Sequence, residues 1–122
     1  MDSVTQSYSV LLVSASAKFM DSVLPLLPER SFSPITKAPD VSSARRCLLE
    51  RSYDLLIINA PLPDEFGHEL GTDAVTKTDA GVILLTKTAT ADQIADKLQE
   101  FGVLVLGKPF TGAQFRQAVQ LA

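Results

Sequence analysis

Asp54-Leu55-Leu56-Ile57-Ile58-Asn59-Ala60-Pro61-Leu62-Pro63-Asp64-Glu65-Phe66-Gly67 is the stretch that decides the fold. Residues 55–58 are apolar β-formers without polar alternation, which describes a strand covered on both faces, as in a parallel sheet. The prolines and the glycine after Asn59 end that strand in a loop. The same pattern returns at Val82-Ile83-Leu84-Leu85 and at Val103-Leu104-Val105-Leu106, and an earlier version runs from Tyr8 to Val13. Phe32 to Lys37 reads as a short edge strand with Pro34 and Pro39 at its margins, because proline cannot donate to an interior ladder.

Amphipathic stretches lie between these runs. Phe19, Met20, Val23, Leu24 and Leu27 share one helical face, which Pro25 should kink. Ala44, Cys47 and Leu48 form a second face behind Asp40 or Ser42 as cap. Residues 68–77 predict a weak helix with Leu70, Ala74 and Val75 as its apolar side. Ile94, Leu98 and Phe101 predict a fourth helix capped by Thr90, and Phe115, Ala118, Val119 and Ala122 a fifth. Parallel strands need crossovers, and crossovers are right-handed, so the expectation is an α/β, doubly wound, five-stranded parallel sheet of (βα)5 type.

Composition bounds the function classes. The chain has 122 residues, 46% of them hydrophobic and 20% charged, enough for a core and too apolar for disorder. That length is one domain, residues 1–122. The pattern stops on Leu121-Ala122 without a polar tail, so the expectation is the N-terminal part of a longer protein. One cysteine, Cys47, excludes a disulfide framework and fits a reducing compartment. No apolar run approaches the ~20 residues needed to span a bilayer. Met1-Asp2-Ser3-Val4-Thr5-Gln6 lacks the basic start of a secretory leader, so a cytoplasmic protein without membrane contact is expected. With 11 basic against 14 acidic residues the net charge is 11 − 14 = −3, which disfavours direct nucleic-acid binding by this domain.

Ligands of open α/β sheets sit beyond the carboxyl ends of the strands. Those ends are Ser14-Ala15-Ser16, Asn59-Ala60-Pro61, Thr86-Lys87 and Lys108-Pro109. The 54–67 stretch, followed by Leu85-Thr86 and Lys108-Pro109-Phe110, resembles the receiver domain of two-component response regulators over essentially the whole chain. The resemblance implies the flavodoxin-like (βα)5 receiver fold. It also implies an acidic pair after the first strand, a phosphoacceptor aspartate after the third, a Ser/Thr after the fourth and a Lys-Pro after the fifth. In that family the carboxylates hold Mg²⁺, a hard cation that screens the incoming phosphoryl group, and the aspartate is the nucleophile.

The chemical positions depart from the pattern. Ser14 and Ala15 stand where the acidic pair belongs, and Asn59 stands at the phosphoacceptor position, where an amide cannot form an acyl phosphate. Thr86 and Lys108 match. The aromatic switch position is Val105, which has no ring to rotate. The expectation is a pseudo-receiver: no catalytic residue, no metal site, no cofactor and no enzyme activity. Such a module acts through protein contacts. Its expected form is a homodimer through the fourth helix, fifth strand and fifth helix, where Asp92, Asp96, Lys97, Glu100, Gln114, Arg116, Gln117 and Gln120 supply mixed polarity. Residues 57–67 and 101–109 are moreover similar to receivers that precede ANTAR-type RNA-binding domains, which implies transcription antitermination by an effector outside this sequence. The alternatives are a phosphorylation-responsive regulator with an unorthodox acceptor and a sensor of small anions or metabolites at the degenerate site.

Gly102 to Lys108 nearly spells a P-loop, but 103–106 is a strand and Pro109 offers neither hydroxyl nor N–H. The Pro-rich loop brings Asp64 near the strand ends, but as a substitute acceptor it would lack metal ligands. The acceptors of Lys108 are expected to be Asn59 Oδ1, a strand-end carbonyl or Thr86, and an ionised partner is available to it only if Asp64 or Glu65 folds back. His68 reads as an exposed helix-start residue without metal partners, a Ser14–His68–Asp triad has nothing to position it, and Cys47 reads as a small core residue. Lys87 is a long cation placed to cover the pocket.

Overall fold

The computed structural model describes residues 7–122. Residues 1–6, on which the expectation about a leader rests, lie outside the described residues. The elements follow in the order β1 (Tyr8–Val13), α1 (Ala17–Val23) running into a short 3₁₀ turn (Leu24–Leu26), β2 (Phe32–Ala38), α2 (Val41–Glu50), β3 (Leu55–Asn59), α3 (His68–Lys77), β4 (Gly81–Lys87), α4 (Thr88–Glu100), β5 (Val103–Lys108) and α5 (Gly112–Leu121). The sheet has five strands, all parallel, in the order β2-β1-β3-β4-β5. This is the flavodoxin-like arrangement that the alternation of apolar runs predicts.

Both faces of the sheet are covered. Leu56 and Ile58 pack with Leu11, Val13, Val82, Leu84, Ala44, Leu70 and Leu98 under α2, α3 and α4. Leu55 and Ile57 pack with Val10, Leu12, Ile83, Leu85, Val23 and Phe115 under α1 and α5. Successive residues of one strand therefore serve opposite cores, which is why β3 shows no polar alternation. Gly67 sits at φ +116, a conformation that L side chains avoid, and a Cβ there would meet Ile58 Cγ2 at 3.0 Å.

Several local expectations need correction. Pro34 lies inside β2 rather than at its margin, which an edge strand tolerates. Pro25 ends α1 and falls in the 3₁₀ turn instead of kinking a longer helix. Helix α4 begins at Thr88, so Thr90 is within its first turn and Lys87 is the N-cap, without a side-chain bond. Phe101 is the C-cap of that helix and remains 47% exposed, while Ala91 and Leu98 supply the buried face. Asp40 caps α2, accepting from Ser43 N at 2.7 Å, and Ser42 does not. Cys47 is partly buried against the α2 side of the core. Among the described residues no helix is long and apolar enough to cross a membrane.

Candidate functional site

Because the strands are parallel, their carboxyl ends meet on one side, and β1 and β3 are neighbours at the point where the strand order reverses. Among the described residues the buried polar side chains are Ser14, Asn59 and Thr86, at 1%, 9% and 1% exposure, all at those ends. A buried polar group is costly unless bonded, so their convergence marks the site. Asn59 Nδ2 donates to Ser14 Oγ at 3.0 Å, which joins β3 to the end of β1. Ser16 N donates to the same Ser14 Oγ at 3.0 Å. Ala15 is exposed and adds no polar atom.

Lys108 closes the arrangement from β5. Its ammonium donates to Asn59 Oδ1 at 2.6 Å and to Ala60 O at 3.0 Å, both of them expected acceptors. Thr86, the third candidate, is not an acceptor, and its hydroxyl has no protein partner among the described residues. Both acceptors are neutral. Burial pushes the Lys108 pKa below its ordinary value of 10.5, and among the described residues no carboxylate offsets that desolvation. Val105 is part-buried in β5 against the core that holds Leu84 and Leu98. Lys87 is exposed and leads directly into α4.

Mg²⁺ does not fit this donor set. It requires hard anionic oxygens, whereas Ser14 offers a hydroxyl already bonded twice, Ala15 a methyl group, and Asn59 an amide oxygen held by an ammonium. Among the described residues no cluster of three or more His, Cys, Asp or Glu exists to hold a metal elsewhere.

Asp64 stands apart from the site. Its Oδ1 accepts from Val41 N and its Oδ2 from Ser42 N, each at 3.0 Å, so both oxygens serve the start of α2 and neither reaches Lys108. Asp64 therefore does not fold back on the lysine. Nothing in the sequence signals the contact, because its partners are 23 and 22 residues away. The Val41 bond and then the Ser42 bond hold the Asp64 pKa below its ordinary 3.8. The Arg45 guanidinium, 2.8 Å away, does the same for Asp73. A carboxylate with a depressed folded pKa contributes stability above its unfolded pKa and loses it as pH falls through the folded value. Acid unfolding is therefore expected to steepen below about pH 4. Asp64→Asn should flatten that limb, because an amide does not titrate there, and should lower stability near neutral pH, because one of the two oxygens becomes a donor facing an N–H. Urea midpoints between pH 2 and pH 6 check this, and an unchanged acid limb would count against the bridging contact. His68 is exposed at the start of α3, with its ring 5.8 Å from that of Phe66, and among the described residues it belongs to no group of three or more metal-ligating side chains.

No family model matches the chain, and no curated protein matches it. Solved structures do. The signal receiver domain of an HD domain-containing protein from Pseudomonas fluorescens Pf-5 superposes with a TM-score of 0.78 at 27% identity, covering 98% of this chain and 92% of that one. The chemotaxis response regulator CheY4 of Vibrio cholerae gives 0.78 at 18% identity over 94% and 98% of the two chains. The fold is that of a response-regulator receiver. The receiver domain of a signal transduction histidine kinase from Syntrophus aciditrophicus agrees, with a TM-score of 0.77 at 22% identity over 94% and 89%. On this receiver fold Ser14, Asn59, Thr86 and Lys108 lie at the carboxyl ends of their strands, and hydrogen bonds join Ser14, Asn59 and Lys108.

Proposed function

We propose that this chain is a signalling module of the receiver type that works without phosphotransfer, by protein–protein contact that places or masks an attached effector. The observation that carries the reading is the 2.6 Å bond from the Lys108 ammonium to the Asn59 amide oxygen. Where aspartyl phosphate chemistry needs a carboxylate nucleophile and metal ligands, this site has a neutral network that already engages its own lysine. The exposed faces of α4 and α5 carry Asp92, Asp96, Lys97, Glu100, Gln114, Arg116, Gln117 and Gln120, a mixed-charge surface suited to a two-fold homodimer with β5 between them. The resemblance of residues 57–67 and 101–109 to receivers that precede ANTAR domains makes an RNA-binding antiterminator the proposed effector.

Amide NMR during titration with Mg²⁺, then with beryllofluoride as phosphoryl mimic, tests the reading. No saturable shift is expected at Asn59, Thr86 or Lys108. Saturable shifts spreading from Asn59 toward α4 would overturn it. Light scattering on the same samples checks the pairing, which a monomer at high concentration would remove.

A second reading has one observation in its favour. The Lys108 ammonium has three donors, of which two are used, and the buried Thr86 hydroxyl has no protein partner among the described residues. A small anion would satisfy both groups. A melting temperature that rises with phosphate or sulfate favours this sensor, and an unchanged one leaves the contact module.

A further inference from the structure

Helix α4 follows its strand without an intervening loop, and like α3 it has no side-chain cap. Ser16, Asp40 and Thr111 cap α1, α2 and α5 with their own side chains, and Thr111 forms a full capping box with Gln114. Helix α4 has no side-chain cap, and Lys87 is its N-cap as well as the last residue of β4, so nothing separates strand from helix. The first residue of α4 is instead fastened sideways to β5, where Thr88 Oγ1 donates to Lys108 O at 3.1 Å.

The backbone of β5 is shaped for that contact. A Cβ at Gly107 would stand 2.9 Å from Thr88 Oγ1 and 3.1 Å from Thr88 Cα, so only glycine lets the strand lie against the start of the helix. Lys108 then bonds three residues. Its carbonyl receives Thr88, and its ammonium donates to Asn59 Oδ1 and Ala60 O. Asn59 in turn donates to Ser14. The side chains of Ser14, Asn59 and Thr88 are thus joined through one lysine into a hydrogen-bonded path from β1 to α4. Val105 offers no ring by which α4 could sense the site along another route.

We infer that Thr88 is a positioning residue that couples the strand-end network to α4, fixing the helix according to where Lys108 is held. The inference goes beyond the proposed function and does not require that α4 pair with anything. Spatial continuity is not yet coupling, so the test reads coupling directly. Asn59→Ala removes both the acceptor of Lys108 and the donor to Ser14. In the otherwise native chain it should shift the amides of residues 88–94 as well as those around Lys108. In a Thr88→Val background, which keeps the shape and removes the hydroxyl, the shifts at 88–94 should disappear while those around Lys108 persist. A merely structural Thr88 would not produce that difference. Thr88→Ser should preserve the response. Gly107→Ala, which drives a methyl group against the hydroxyl, should abolish it and supplies the same test should Thr88→Val not fold. Equal shifts at 88–94 with and without the hydroxyl, or none in either background, would overturn the inference.

Discussion

With Ser14, Ala15 and Asn59 all replaced by aspartate, the stability of the chain should become dependent on Mg²⁺, gaining about 2.7 kcal/mol at a concentration one hundred times the dissociation constant. The native chain should show no such dependence. The strand ends already stand where the resemblance places metal ligands, and what they lack is anionic oxygen. Asn59→Asp alone should be tolerated, because a carboxylate can still accept from Lys108 and the Ser14 hydroxyl can turn to donate. Adding Ser14→Asp and Ala15→Asp is different. Ser14 is 1% exposed, so a carboxylate there is desolvated, and three like charges then face one lysine. Without metal the triple variant should be less stable than the native chain, and Mg²⁺ should more than restore the loss. Losing even an outer-shell partner costs a metal site roughly 10- to 100-fold in affinity. The difference in affinity between the native chain and the triple variant should therefore exceed about 100-fold. Thermal melts with EDTA and with graded Mg²⁺ measure it. A folded triple variant indifferent to Mg²⁺ would show that more than these side chains separates the chain from a metal-dependent receiver.

The same site shows what a sequence can carry. Leu55–Asn59, Gly81–Lys87 and Val103–Lys108 are legible because burial on both sheet faces leaves unbroken apolar runs, a signal written locally. The positions of Ser14, Asn59, Thr86 and Lys108 follow from where those runs end, and parallel strands then bring them together without further information. Contacts that bridge distant segments are not legible. Asp64 reads as a loop acid, and only the fold shows its two oxygens on the amides of Val41 and Ser42. Thr90 is a plausible cap by residue type, but β4 feeds α4 directly and a β5 carbonyl takes the hydroxyl of Thr88, so the helix starts earlier. Phe101 has the spacing of a core residue, yet it falls at the helix end, where the chain turns away through Gly102.

Phe115→Ala should cost about 3–5 kcal/mol, the range for truncating a fully buried aromatic residue. Phe115 has 0% exposure and lies in the core with Val10, Leu12, Ile57, Ile83 and Leu85, beneath the α1 residue Val23. Its ring stacks on that of Phe110, with centroids 5.6 Å apart. Helix α5 spans 10 residues, below the roughly 12–15 at which isolated helices become even marginal in water, so packing must hold it. Its capping box, worth on the order of 1 kcal/mol, cannot replace a lost anchor. Total stability for such a domain is about 5–15 kcal/mol, so the variant stands near the unfolding threshold. The urea midpoint should fall sharply with an unchanged slope, the sign of lost stability without a change in surface exposed. Phe101→Ala is the control. Its ring is 47% exposed, and its removal should cost less than about 1.5 kcal/mol, half of a full aromatic burial. Because α5 also carries Arg116, Gln117 and Gln120, loosening it should weaken any pairing before global unfolding sets in. A Phe115→Ala loss no larger than that of Phe101→Ala would mean that α5 is held by something other than its buried ring, and the surface proposed for pairing would have to be redrawn.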